Sequence, residues 1–343
     1  MHFIFKFMKG LTNKNNRNYS IDVLRWIALT GIILAHIEPP EFWFQIRQFD
    51  VPLMVFLSGI CFSSFSSKHN SYTNYCIKRF KRLIIPCWIF LTLYFSFNLL
   101  FHGKSFSGSH LIMCYTLTTP WYLWIIRVLF LIALLSPYIS QYVEQQSIKK
   151  LLILTTILLI INEVFTKIID NYWFSIMIMM LPYSIIFATG ILMKRLERKK
   201  ILLLSFIFFS IYIALAILIF YKTGLYKNTQ IHKYPPRLYY MSYAWGVILL
   251  LYSFRDSIVH VFEKIGILKS VCFIGSHTLW IYLWHIPFVE LVNGRFNSII
   301  RFFFVYFSAI LIVIIQDLIV QKFLNSSSLA NPTKKDIKLI FIG

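Results

Sequence analysis

ILLLSFIFFSIYIALAILIF, residues 201–220, runs without a charged side chain and without alternation of polar and apolar positions. As a helix rising 1.5 Å per residue it is about 30 Å long, the thickness of the hydrocarbon core of a bilayer. A barrel strand would be about ten residues long and alternating. Helix is therefore the spanning form that fits. Outward from this stretch, similar apolar runs recur between short basic loops. They predict ten spans near 21–37, 46–64, 83–100, 121–139, 151–168, 174–193, 201–221, 238–254, 271–291 and 300–323. The expected fold is an all-α polytopic membrane protein, a bundle of about 10 transmembrane helices, in a chain of 343 residues that is 58% apolar.

The chain carries 34 Lys+Arg against 13 Asp+Glu, a formal charge of +21. With the N-terminus placed inside, 23 of the basic residues fall on inside segments and nine outside, and Arg25 and Arg127 lie within spans. The positive-inside rule then predicts N- and C-termini on the cytoplasmic side. It divides the chain into a cytoplasmic basic tail over 1–20, a transmembrane domain over 21–323 and a cytoplasmic polar tail over 324–343. Basic residues spread between spans suit anionic membrane lipids. They form no folded patch beside aromatic platforms, so nucleic acid is not an expected partner. Cys61, Cys76, Cys87, Cys114 and Cys272 lie scattered with no C-x-x-C spacing, which reads as packing or free thiols. No metal-ligand set is visible. The longest outside connections, about 101–120 and 222–237, are of loop length, so any chemistry belongs within the membrane or at its faces.

The first span, IDVLRWIALTGIILAHI at 21–37, holds two ionisable side chains, Arg25 and His36, that are costly there unless they serve a function. Eleven residues apart on a helix, they lie about 20° apart around the axis and roughly 16 Å apart along it. One face thus offers a cation near one surface and an imidazole near the other, suited to an elongated anionic molecule with chemistry at its far end. The fork of Arg25 matches a phosphate, and His36 is a candidate base. Asp50, at the start of the second span, either caps that helix or orients His36. Arg127 needs an anionic partner, a carboxylate or a bound phosphate. Trp121 and Tyr122 are interface aromatics that can also line a sugar site. In HKYPPRLYYMSYAWG at 232–246, the stiff Pro-Pro pair can hold Arg237 and Tyr239 over the bundle mouth, where they can orient a saccharide. His285, in GSHTLWIYLWHIPFVE at 275–290, is expected to line the pocket.

These residues carry a resemblance. The chain resembles the membrane-bound acyltransferase family 3, the O-acetyltransferases of bacterial surface polysaccharides. Asp22-x-x-Arg25 with Arg25 and His36 separated by ten residues matches that family's signature. FDVPLMVFLSG at 49–59 looks like its second-span motif, PWYLW at 120–124 its third landmark and GSHTLWIYLWHIPF at 275–288 its C-terminal one. KYPPRLYY at 233–240 looks like the version found in capsule and exopolysaccharide enzymes. The resemblance runs in order over 18–325. It implies a multi-pass enzyme of the bacterial cytoplasmic (inner) membrane that takes an acetyl group from cytoplasmic acetyl-CoA to a sugar hydroxyl. The acceptor would be a cell-surface glycan or lipid-linked oligosaccharide, with polysaccharide assembly proteins as possible partners. It implies His36 as the catalytic residue and Arg25 as a donor contact, with no metal. His36 would act as the base or accept the acetyl group itself, and Arg127, a tyrosine hydroxyl or a backbone N–H would hold the oxyanion. A transporter of glycan or lipid is the main competing reading. It predicts substrate movement without donor consumption and tolerance of His36 replacement. Another acyl group such as succinyl is a second, and a structural subunit of an assembly complex a third.

Overall fold

The computed structural model describes residues 18–65, 71–119, 122–168 and 171–342. In chain order its helices are α1 (Tyr19–Ala35), α2 (Glu41–Ile46), α3 (Asp50–Phe65), α4 (Tyr72–His102), α5 (Gly108–Tyr115), α6 (Trp124–Gln145), α7 (Ile148–Ile168), α8 (Tyr172–Ile178), α9 (Met180–Leu192), α10 (Arg198–Thr223), α11 (Leu238–Ser253), α12 (Arg255–Lys264), α13 (Leu268–Ser276), α14 (Thr278–Val292), α15 (Ser298–Ser326) and α16 (Asn331–Phe341). Hydrocarbon offers the backbone no partners, so each span closes its own hydrogen bonds as a helix.

Among the described residues seven helices are long and apolar enough to cross a membrane, or up to eight if the bent pair α11 and α12 is one span. Ten had been expected, and the difference lies in three stretches. The span read at 21–37 folds as the 17-residue α1, stopped by Glu38 in the left-handed region (φ 52°) and by Pro39 and Pro40. The stretch at 238–254 gives the 16-residue α11, which bends by 58° into α12. The stretch at 271–291 is broken at Ser276–His277, where the Ser276 hydroxyl turns back onto Phe273 O and the buried His277 Nδ1 bonds the same carbonyl.

These short helices are the buried ones. α1, α11 and α14 bury most of their side chains, among them Leu24, Trp245 and His285. The long helices α7 and α10 leave most of their apolar length unburied and present Ile, Leu and Phe outward, as a lipid-facing layer does. Small residues set the closest approaches. A Cβ on Gly59 of α3 would overlap the backbone of Phe187 on α9, and one on Gly190 would overlap Phe56 O on α3, so the two backbones touch at a paired glycine crossing. Gly59→Ala is expected to force α3 and α9 apart and cost about 1–3 kcal/mol, read as a lowered unfolding temperature in detergent. An unchanged melting curve would show that the crossing can spread freely.

The segment after residue 323, expected as a polar tail, is ordered where it is amphipathic. Pro332 opens α16. Lys81 Nζ pairs with Asp336 at 2.5 Å, Trp280 Nε1 donates to Ile340 O at 2.8 Å and Gln316 Nε2 to Phe341 O at 2.7 Å. Apolar side chains at 337, 339, 340 and 341 give this segment a face to bury, a pattern that its high lysine content hides.

Candidate functional site

Two cavities lie along α1. The first, about 150 Å³, is lined by Arg25 from α1, Cys61 from α3, Arg79 and Arg82 from α4, Ser276 and Thr278 at the α13–α14 break, and Ile342 beyond α16. The second, about 120 Å³, is lined by His36, Arg47, Asp50, Trp124, Lys233 and Tyr234 among others. Ile32, Ile125 and Tyr282 line both. The two spaces are thus neighbours divided by three side chains, one lying toward each end of α1.

The first cavity is cationic. Arg25 Nη1 sits 3.8 Å from Asp22 Oδ1 and Nη2 3.2 Å from Cys61 Sγ, and the side chain keeps 26% of its surface exposed. Arg79 lies with its Cζ 5.0 Å over the Tyr75 ring. Spacing explains why the arginines arrive together: Arg79 and Arg82 are three apart and share a face of α4, while Lys78 and Lys81 occupy the next one. Three guanidinium groups converging on one small space repel one another, and an anionic ligand removes that repulsion.

In the second cavity His36 is the C-cap of α1, fixed by its N–H to Ile33 O at 3.1 Å. Its Nδ1 is 3.0 Å from Nε2 of His285, with the rings stacked at 5.0 Å between centroids, and Tyr122 stands edge-on at 4.7 Å. The tautomers follow from a carbonyl. His285 Nδ1 contacts Tyr282 O, which only accepts, so the proton is on Nδ1. A neutral His285 then presents Nε2 as acceptor, His36 Nδ1–H donates to it, and the lone pair of His36 is left on Nε2. His285 therefore occupies the position that the sequence reading considered for Asp50.

Asp50 has a different set of partners. Its Oδ1 accepts from Val51 N at 2.6 Å, at the start of α3, and its Oδ2 accepts from Arg47 Nη1 at 3.0 Å. Lys233 Nζ lies 3.9 Å from Oδ1. All three side chains are no more than 4% exposed. Gly31 makes room for them, because a Cβ there would meet Asp50 Cβ at 3.0 Å and Arg47 Cβ at 3.6 Å. Lys233 reaches this depth because its loop is tied down on every side. Gln45 Oε1 accepts from Thr229 N and Oγ1, Gln48 Nε2 donates to Asn228 Oδ1, and Asn162 Nδ2 donates to Pro236 O. Arg237 gives Nε and Nη2 to Glu163 Oε2 at 3.1 and 3.0 Å. Burial pulls the Lys233 ammonium down to about 8, with Asp50 opposing the shift and Arg47 adding to it.

The predicted residues thus separate. His36, Asp50, His285 and Tyr122 meet at or beside the second cavity, and Arg25 lines the first. Arg127, buried in α6, donates Nη1 to Leu117 O at 2.8 Å and lines neither cavity. Arg237 and Tyr239 pin the loop that carries Lys233, the former through Glu163 and the latter by its hydroxyl to Lys227 O at 2.9 Å and by stacking on Tyr212. Trp121 lies outside the described residues. Arg47, Lys233, Arg79 and Arg82 are the residues that sequence reasoning missed. Two of their signals were available in the Arg47-x-x-Asp50 and Arg79-x-x-Arg82 spacings. Among the described residues no group of His, Cys, Asp and Glu is arranged to hold a metal ion.

Residues 18–316, most of the chain and all of both cavities but Ile342, match the Acyl_transf_3 family, described as an acyltransferase domain. The chain belongs to the membrane-bound acyltransferase family 3. No curated protein and no solved structure matches it.

Proposed function

We propose that this protein is an O-acetyltransferase of a bacterial cytoplasmic membrane, moving an acetyl group from cytoplasmic acetyl-CoA to a sugar hydroxyl of a cell-surface polysaccharide or its lipid-linked precursor. The observation that carries this reading is the pair of cavities sharing Ile32, Ile125 and Tyr282, with arginines in one and His36 in the other. In this reading both termini are cytoplasmic, the ten apolar stretches all lie in the membrane, and the domain extends over 21–323. The short helices α1, α11 and α14 then form the centre of the bundle.

The diphosphate of the donor is held by Arg25, Arg79 and Arg82 at the cytoplasmic end. The pantetheine arm extends past Ile32, Ile125 and Tyr282, over a distance comparable with the roughly 16 Å between the Arg25 and His36 levels. His36 Nε2 removes the proton of the sugar hydroxyl as its oxygen attacks the thioester carbon. The carbonyl electron pair moves onto oxygen, then returns as the C–S bond breaks. The leaving thiolate takes the proton from His36, giving the sugar ester and free CoA. His285 keeps His36 in the tautomer that this step needs.

The test is CoA release from acetyl-CoA by protein purified with native membrane glycans, with the glycan analysed for added acetyl mass. Arg25→Ala is expected to weaken donor binding, by about tenfold or more for one charge-assisted phosphate contact of 1.5–3 kcal/mol. His36→Ala is expected to keep donor binding and lose transfer. Equal loss of donor binding in both variants would refute the division between head-group and reaction ends. A folded protein that moves glycan across vesicles without consuming any acyl-CoA would replace the enzyme reading with transport.

A further inference from the structure

The oxyanion formed in that reaction needs a donor, and besides the neutral donors of Trp124, Gln230, Tyr234 and Tyr282 the cavity beside His36 is lined by two cations, Arg47 and Lys233. Arg127 is committed to Leu117 O and lies outside the lining. Tyr282 donates its hydroxyl to Tyr122 O. Arg47 spends Nη1 on Asp50 and stands with its Cζ 4.1 Å from the centre of the Phe44 ring, and its unpaired Nε is sealed from the cavity by burial. Lys233 differs from all of these. Among the described residues its Nζ makes an ion pair with Asp50 at 3.9 Å, beyond hydrogen-bond length, and otherwise faces the rings of Trp124, Tyr234 and Tyr240 at 5.6–5.9 Å. It is a deeply buried ammonium on the wall that also carries His36, and its donors are not hydrogen-bonded.

Charge balance points the same way. Arg47 and Lys233 face one carboxylate, Asp50, so with His36 neutral the cavity wall holds one uncompensated positive charge. A thioester and a sugar hydroxyl are both neutral and leave that charge unanswered in the ground state. In the tetrahedral intermediate the former carbonyl oxygen carries one negative charge and His36 the proton taken from the hydroxyl, so the net charge is unchanged but a local anion arises at the oxygen, for which the spare cation of the wall is a partner. A donor whose partner exists only near the transition state lowers the barrier without tightening substrate binding.

We propose that Lys233 is the oxyanion donor of this site, its ammonium giving a hydrogen bond to the thioester carbonyl oxygen as the electron pair moves onto it and losing that partner when the C–S bond breaks. Asp50 and Arg47 act as positioning residues that hold the ammonium in place. The proposal rests on the acyl-transfer reading above.

Lys233→Gln is expected to lower kcat by about 10²–10³-fold, as for removal of one oxyanion donor, with the KM values for acetyl-CoA and acceptor near those of the wild type. The pH profile supplies a readout that a structural role would not move. The ammonium is the active form, so wild-type turnover should fall as pH rises through about 8. The charged and titratable groups facing Lys233 are Arg47 ahead of α3 and Asp50 at its start, His36 on α1, Tyr240 on α11, Tyr282 on α14 and Tyr234 beside it. Lys233→Arg keeps a cation that does not titrate in this range, so it should retain part of the activity and lose the alkaline fall. A wild-type alkaline limb in Lys233→Arg would overturn the assignment, as would Lys233→Gln with unchanged kcat and a raised acceptor KM. If Lys233→Gln does not fold, the Lys233→Arg profile decides alone. A wild type that releases no CoA would refute the acyl-transfer reading itself, whereas His36-dependent release with full turnover in Lys233→Gln refutes only the role of Lys233.

Discussion

His36→Gln is expected to lower CoA release at saturating donor and acceptor by about 10²–10⁴-fold, the range that general-base catalysis supplies. Glutamine keeps a polar group of similar reach at the end of α1 and can still donate to His285 Nε2, so the packing around Tyr122 and Tyr282 is retained while the basic nitrogen is lost. His285→Gln should have a smaller effect. It exchanges an imidazole acceptor held by Tyr282 O for an amide that can turn either its oxygen or its NH2 toward His36, so the Nδ1–H tautomer is held less firmly while the base itself remains, and the loss should fall in kcat with donor binding unchanged. The measurement is steady-state CoA release from the three purified proteins, with donor binding measured separately. Near-wild-type turnover in His36→Gln would remove the base from the mechanism, and a larger loss in His285→Gln than in His36→Gln would exchange the roles of the two rings.

The ordering of those two effects shows what one-dimensional reading can reach. Arg25 and His36 sit on one helix, so the 3.6-residue period alone places them on one face at two levels, and each lines one of the two cavities. Partners on different helices carry no such signal. His36 and His285 are 249 positions apart, and nothing in the spacing of either says that their rings stack. Asp50 was considered as a cap or as the orienter of His36. It contacts the first amide of its helix, but the imidazole found its partner on α14, and the carboxylate was left to two cations. Lys233 was hidden for a different reason. In sequence it is one basic residue in an outside loop, a place where lysines usually face water, and only the ties from Gln45, Gln48, Asn162 and Glu163 turn that loop inward. The break at His277 carries a local mark, the polar Gly275-Ser276-His277-Thr278 run inside an otherwise apolar stretch, but the same four residues are tolerated within a continuous helix. The side-chain and backbone bonds that interrupt the helix there arise from three neighbouring residues in a particular packing.

Asp50→Ala should be the most destabilising single change in the site, at about 3–5 kcal/mol, the usual cost of removing one partner from a buried ion pair. The carboxylate holds two cations whose side chains are no more than 4% exposed. Without it Arg47 and Lys233 are left as two buried like charges, and Val51 N loses its 2.6 Å acceptor. Asp50→Asn should cost less, since the amide oxygen can keep the bond to Val51 N while only the charge is lost. A second change isolates the electrostatic part. In an Asp50→Ala background, Lys233→Met removes one of the two orphaned cations and should recover part of the lost stability, although in a wild-type background the same replacement abolishes the proposed oxyanion donor. The check is the unfolding temperature of wild type, Asp50→Asn, Asp50→Ala, Lys233→Met and the Asp50→Ala/Lys233→Met double variant in one detergent, with CoA release measured alongside. Additive losses would mean that Asp50 and Lys233 do not interact. Partial rescue of stability without rescue of turnover would mean that the cluster is kept for the charge it presents to the cavity, because an apolar replacement of the pair would then fold and yet not work.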